Sequence, residues 1–477
     1  MWDDQKKVDC LKVVIQCAKL LNNIELPQFY PEKFVAICDI FDIFGRLVFE
    51  RIKMLSGKSK FDNIPDTSIR PDMIPDNAKE VCNNWFLKTS IIREVVPRCY
   101  VEICLAKCYF FITDTPIKTT LERIAKSIRG VSEPLVAIYL SVFLERIGHK
   151  ILPNEKTYLM ILFENAYIIL EQARRIGFPG SSLDDYLSCF DMAIHWIVSS
   201  ICKNSSASVY EKIMETYISK PQNNMILKYI IMYSPSESIA NDATKLFNTI
   251  RNMTKPEQIP VLAELAKKFI EVPPALKKLR LEFMTHSWGL SKEVENGVAY
   301  MNLVIALTEF AIKYLKIDKV TFLEEIFQKC KAFLVTSEEV QSLLCEALEK
   351  LLIKVIGTSS SLKEVLSIDS LIPLFDYFAV GIKKKLCRMV LNTVLKNASI
   401  ISDAVTAHTI MELGKIVHDS VDFLTSENEI ESVGELLKEV IRKIDFGRDL
   451  EQQIKFLTQA RAIFINFDQV IDIIVLV

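Results

Sequence analysis

Glycine and proline are scarce, 13 and 17 residues in a chain of 477, against average usage of about 7% and 5%. Sheet proteins need turn residues at short intervals, and alternating strand patterns are essentially absent, so a β-rich fold is excluded. Long hydrophobic runs are missing too. Half of the residues are apolar and mean hydropathy is +0.21, yet no unbroken apolar run exceeds six residues, as at Tyr158–Phe163. A spanning helix needs about 20. Nor is there an excess of one charge: 58 Lys and Arg face 60 Asp and Glu, for a formal net charge of −2. No global field recruits nucleic acid or an anionic membrane. The largest basic clusters, Lys277, Lys278 and Arg280 and then Lys383–Lys385, have no interleaved stacking aromatics. They read as solvated helix faces without a partner.

Twelve cysteines are present, but no Cys-x-x-Cys. They read as small apolar core residues of a reducing compartment, not as disulfides. Lys12, Gln16 and Lys19 interrupt the one candidate hydrophobic region near the start, which argues against a signal peptide, and the chain is expected to be cytosolic. The sequons at Asn204, Asn252 and Asn397 are then expected to stay unmodified.

What the sequence does have is helical periodicity almost everywhere. Leu11, Val14, Ile15, Ala18 and Leu21 form one apolar stripe; Leu450, Ile454, Leu457, Ala460 and Phe464 form another. Prolines suited to a first helical turn stand at 31, 97, 116, 134 and 256, and serine caps at 182, 236, 291, 337 and 402. The count comes to about twenty helices of roughly 12 to 25 residues with short connections. Short helices joined by tight loops pack antiparallel to their neighbours, and pairs recurring at about 40 to 47 residues match an all-α, HEAT-like α-solenoid. An irregular helical globule is the alternative, since no crisp consensus repeats. Residues 56–75 and 357–361 read as loops. No stretch resembles a flexible interdomain linker, so residues 1–477 are expected to form one continuous array, with N-terminal repeats over 1–153 and middle repeats over 154–477.

Catalytic and metal patterns fail on inspection. Asp184 and Asp185 lack the third carboxylate of an aspartate-rich magnesium motif, because position 188 is Ser. Acidic residues in a first helical turn explain the pair better. The five histidines include no i, i+4 pair, and Cys104 and Cys108 share a helical face without a nearby histidine. His418, Asp419 and Ser420 are sequence neighbours, whereas a triad needs groups that converge in space. No phosphate loop, dinucleotide fingerprint or nucleophile elbow occurs. No cofactor and no metal are expected.

The segment REVVPRCYVE (93–102) resembles the Pro-Arg signature of the vacuolar protein sorting large-subunit family, which includes the retromer large subunit and its retriever paralogue. Three further blocks agree in order: KVVIQCAKLL with QFYPEKFVAICDIFDIFGRLVFERI within 12–52, IRGVSEPLVAIYLSVFLERIG at 128–148, and HDSVDFLTSENE with FGRDLEQQIKF within 418–456. Pro134, Leu135 and Val136 look like the retriever version. The resemblance implies an α-solenoid scaffold of endosomal recycling, cytoplasmic and peripheral to endosomes, touching the membrane only indirectly. It implies an arrestin-like subunit docked near the motif and a sorting-nexin cargo adaptor. Family members also seat a metallophosphatase-like small subunit, mainly on C-terminal repeats that this chain is expected to lack.

Pro97 presets φ and can open a helix without losing an amide bond, which puts Arg98, Tyr100 and Glu102 in its first turns. A cation there opposes the helix dipole by about 0.3–1 kcal/mol, so Arg98 needs an anion. From the residues alone that anion is Glu94 or Glu102. The resemblance instead assigns Arg98 to the arrestin-like partner, with Tyr100 as an aromatic anchor. Arg129 and Gly130 end a helix, Gly as a left-handed cap and Arg as complement to the last turn, and Arg129 joins the partner-binding set through the resemblance. Cys99 stands where the family has a larger apolar residue. Two other readings stay open here: a different helical-repeat adaptor of nuclear-transport or coat type, and a helical enzyme.

Overall fold

In the computed structural model the described residues are 2, 6–57, 65–203, 205–315, 319–336, 341–358, 366, 368–396, 400–421, 426–465, 467 and 470. They form 23 α-helices and six short 3-10 turns. No strand occurs among them, and extended pairing is limited to an isolated bridge between Ile401 and Ile444. The chain divides into two compact units, Met1–Ile239 and Ala240–Val477.

In chain order the helices are α1 (Lys7–Asn22), α2 (Tyr30–Leu55), α3 (Asp76–Ser90), α4 (Val95–Cys104), α5 (Ile117–Ser127), α6 (Pro134–Ile151), α7 (Thr157–Ile176), α8 (Leu183–Ser188), α9 (Asp191–Cys202), α10 (Ala207–Ile218), α11 (Asn224–Tyr233) and α12 (Ser236–Asn241). Then follow α13 (Ala243–Arg251), α14 (Lys255–Glu271), α15 (Lys277–Glu293), α16 (Gly297–Tyr314), α17 (Lys319–Thr336), α18 (Gln341–Thr358), α19 (Leu371–Leu374), α20 (Val380–Lys396), α21 (Ala404–Asp419), α22 (Glu427–Arg442) and α23 (Leu450–Ile463).

Within the first unit α2, α4, α6, α9 and α11 pack in succession, while α1, α5 and α7 lie against members of that row. Rings of Tyr30, Phe34, Phe41, Tyr100, Tyr139 and Phe143 interlock across α2, α4 and α6. Each is buried, which stabilises by about 1.5–3 kcal/mol for a large apolar side chain. Within the second unit α14, α16, α18 and α20 stack on one another, with α15 and α17 packed beside them. Their starts at Lys255, Gly297, Gln341 and Val380 are spaced at the roughly 40-residue period of HEAT-like repeats. Alternate helices stacking in two layers is the packing of an α-solenoid. One apolar core joins Val294 through Val470.

Most start signals sit where the sequence puts them. Pro31, Pro134 and Pro256 occupy the first two positions of their helices, Ser182 caps α8 by accepting from the Asp185 amide at 3.1 Å, and Ser236, expected as a cap, is instead the first residue of α12. Three others are also displaced. Pro116 stands one residue before α5. Ser291 lies inside α15, buried, its hydroxyl donating to the Trp288 carbonyl at 2.8 Å. At α21 the cap is Asp403, which accepts from the Thr406 amide, and not Ser402. Gly177, at φ +64°, ends α7 in the left-handed region.

The expected loop at 56–75 is more structured than its composition implies. Its described part holds two 3-10 turns, Asp66–Ser68 and Pro71–Met73, and buries Ile69 and Ile74. Gly357 belongs to α18. Ser337, Asn204, Asn397 and residues 359–361 lie outside the described residues.

Candidate partner-docking site

Helix α4 begins two residues before Pro97. Glu94 is extended at φ −74°, ψ 130°, and its carbonyl accepts the first bond of the helix, from the Arg98 amide at 3.2 Å. Pro97 is therefore the third helical residue, still in the turn whose amides have no intrahelical acceptor, so it costs nothing there. Val96, Pro97, Tyr100, Val101, Ile103 and Cys104 are buried. The helix approaches α2 closely at Gly45, where an added Cβ would sit 2.5 Å from the Cys104 carbonyl oxygen.

The two carboxylates able to satisfy Arg98 are both committed elsewhere. Glu94 pairs with Lys19 Nζ at 2.5 Å, tying α4 to α1. Glu102 accepts from the Arg123 guanidinium and from the Tyr109 hydroxyl at 3.1 Å, tying α4 to α5. Arg98 is exposed and forms no ion pair with either. Its opposition to the helix dipole is thus left to solvent or to an external anion.

The other site residues fall on different sides. Tyr100 is wholly buried between Phe41, at 4.9 Å between ring centroids, and Phe143, at 5.3 Å. It is a core residue and cannot serve as the anchor; two residues along a helix, it points away from Arg98. Pro97 is buried and shapes the turn. Glu102 is half-buried and holds α5. Cys99 is buried as well, 4% exposed. Arg129 lies in the 3-10 turn Ile128–Gly130, donating from Nε to Asn165 Oδ1 at 2.5 Å and pairing with Glu164 at 3.4 Å. Asn165 in turn donates to the Ala125 carbonyl at 2.8 Å. Arg129 therefore fastens the turn to α7, well away in sequence from Arg98. Gly130 is not left-handed, contrary to the cap expected there, because the 3-10 turn closes with ordinary φ.

The sites weighed for chemistry resolve into structure. Asp184 is exposed, and Asp185 accepts from Ser182 Oγ at 2.6 Å as part of the α8 cap. Cys104 and Cys108 are buried, and burial pushes both thiols well above the usual range. His418 Nδ1 does meet Asp419 Oδ1 at 2.9 Å, but Ser420 turns back to the Val417 carbonyl at 2.6 Å, so the three do not converge. Among the described residues no group of three or more His, Cys, Asp and Glu is placed to hold a metal. No helix among them is long and apolar enough to cross a membrane.

Comparison with known proteins gives the family of the chain. The family described as VPS35L matches residues 1–180, and the VPS35L C-terminal domain matches 205–477. This chain belongs to the VPS35L family. Similar VPS35L-family proteins include the VPS35 endosomal protein-sorting factor-like proteins of Danio rerio, 30% identical over 487 residues, and of Homo sapiens, 29% identical over 482. The Dictyostelium discoideum protein of that description is 28% identical over 484 residues. Each alignment covers 98% of this chain and 48–49% of the relative. The VPS35L-family chain thus spans about half the length of the curated relatives it matches.

Proposed function

We propose that this chain is a non-enzymatic helical scaffold of endosomal protein sorting, and that Arg98 on α4 is where an arrestin-like subunit docks. One observation carries the reading: an exposed arginine in the first turn of a rigidly packed helix, with Glu94 and Glu102 both engaged by other cations. An acidic group of a partner would supply the charge that the helix itself withholds, and a charge-assisted bond to a guanidinium is among the stronger polar contacts. Membership of the VPS35L family and relatives named as endosomal sorting factors support the process. Recycling of cargo with a sorting-nexin adaptor belongs to the same proposal, as does a metallophosphatase-like small subunit in the longer relatives.

The test is co-purification of an arrestin-like subunit with the wild-type chain and with Arg98→Glu. The expected outcome is loss of capture, about tenfold or more for truncating a paired interface charge, with circular dichroism and melting unchanged. Retained capture would sink the assignment of Arg98. Arg129→Ala separates the two arginines: it loosens the Ile128–Gly130 turn and lowers the melting temperature while capture persists.

A further inference from the structure

The two basic clusters have different fates. Lys383 pairs with Asp376 at 2.6 Å, Lys384 with Glu429 at 2.8 Å and Lys385 with Glu349 at 2.8 Å, so each lysine of that run is neutralised by another element. Among the described residues no other element offers the cluster at the start of α15 such neutralisation. Lys278 is almost fully exposed and reaches only its own helix, Glu282 at 3.8 Å. Facing it from α13, Arg251 is exposed, without an ion pair among the described residues, and braced on the Phe247 ring at 5.5 Å.

Between these helices runs an open groove of about 540 Å³, lined by Arg251, Lys278, Leu281, Glu282, Thr285 and His286. His286 is oriented by a 2.8 Å hydrogen bond between its Nε2 and Gln258 Oε1. Leu281 stands 48% exposed in the same groove. Arg251 and Lys278 stand on two facing walls with Leu281 between them, and the single carboxylate of the groove, Glu282, leaves it a net positive charge, which matches an extended acidic segment that carries an aliphatic residue.

We propose that this groove binds an acidic, leucine-containing peptide segment of a partner protein. Its carboxylates bridge Arg251 and Lys278, and its aliphatic side chain covers Leu281. Such a contact is independent of the reading of Arg98. A peptide is the occupant because Leu281 stands exposed between the two cations, where a partner's aliphatic side chain covers it while flanking carboxylates reach both walls.

The test is fluorescence anisotropy of the full chain with a labelled peptide in which each leucine is flanked by glutamates, beside a counterpart with glutamine at every glutamate. The wild type is expected to bind the first peptide and not the second, with affinity falling as salt is raised. Arg251→Glu with Lys278→Glu should weaken binding about tenfold or more, as reversing two contacting charges does. Leu281→Ser should give a smaller loss. Arg251→Gln with Lys278→Gln reports the same effect if the charge reversal disturbs folding. Neither pair should alter capture of the arrestin-like subunit, which keeps this result separate from that of Arg98→Glu. No binding, equal binding of the glutamine peptide, or equal binding by the variants would overturn the proposal. So would a groove-dependent capture by phosphatidylserine vesicles without peptide binding, since the face would then be a membrane contact.

Discussion

Asp66 shows how one carboxylate organises a segment whose composition reads as a loop. Burial alone would raise its carboxyl, but the hydrogen bonds and charges of Lys107, at 2.5 Å, and Lys53, at 3.3 Å, outweigh burial and hold it below the ordinary value. A depressed folded value means that the clamp stabilises fully above the unfolded value of about 3.9 and fades as pH falls through the folded one. Asp66→Asn should therefore lower hydrogen-exchange protection over residues 66–74 by about fivefold at neutral pH, roughly 1 kcal/mol for a partly exposed pair of contacts. The difference should shrink as pH falls from the unfolded value of about 3.9 through the lower folded one, as the native carboxylate takes up its proton. Arg98 was legible as a candidate because a cation in a first turn is out of place. That Tyr100 faces the core was also readable, since i and i+2 never share a helical side. The destination of Glu94 was not, because Lys19 lies 75 residues away and no local pattern couples them.

Helix-to-helix spacing is set at particular glycines. In α2, Gly45 lets α4 come within reach of its backbone, and the atom in the way of any side chain is a carbonyl that no rotamer can move. Gly45→Ala gains about 1 kcal/mol of helix propensity and loses more to overpacking, which typically costs about 1–3 kcal/mol. A lowered melting temperature is expected. Gly289, in α15, has open space where its Cβ would be. Gly289→Ala should stabilise by up to about 1 kcal/mol, so the same substitution has opposite signs in two helices. The period of α14, α16, α18 and α20 could be read in advance from apolar stripes and start signals. Individual caps could be read less well: serine at 291 and aspartate at 403 are both good caps by type, yet the first lies buried inside α15 with its hydroxyl turned back to the Trp288 carbonyl.

Across the molecule, linear charge runs do not predict free surface: Lys383–Lys385 looks like one in one dimension and is a set of ties between elements in three. Within Ala240–Val477 one apolar core, Val294 through Val470, is built from that unit's own residues, so residues 240–477 expressed alone should be helical by circular dichroism and melt cooperatively. A non-cooperative melt would show that this core depends on the rest of the chain. The twelve cysteines give the folded chain one further property. Nine are buried, and Cys10, Cys17 and Cys345 are partly accessible. Burial pushes Cys38, Cys202, Cys330 and Cys387 up to about 12, so neither access nor ionisation favours attack on them. A pulse of iodoacetamide therefore reads the folding state directly: the intact chain takes up a few labels, and each region that opens adds its own thiols, identifiable by mass along the sequence.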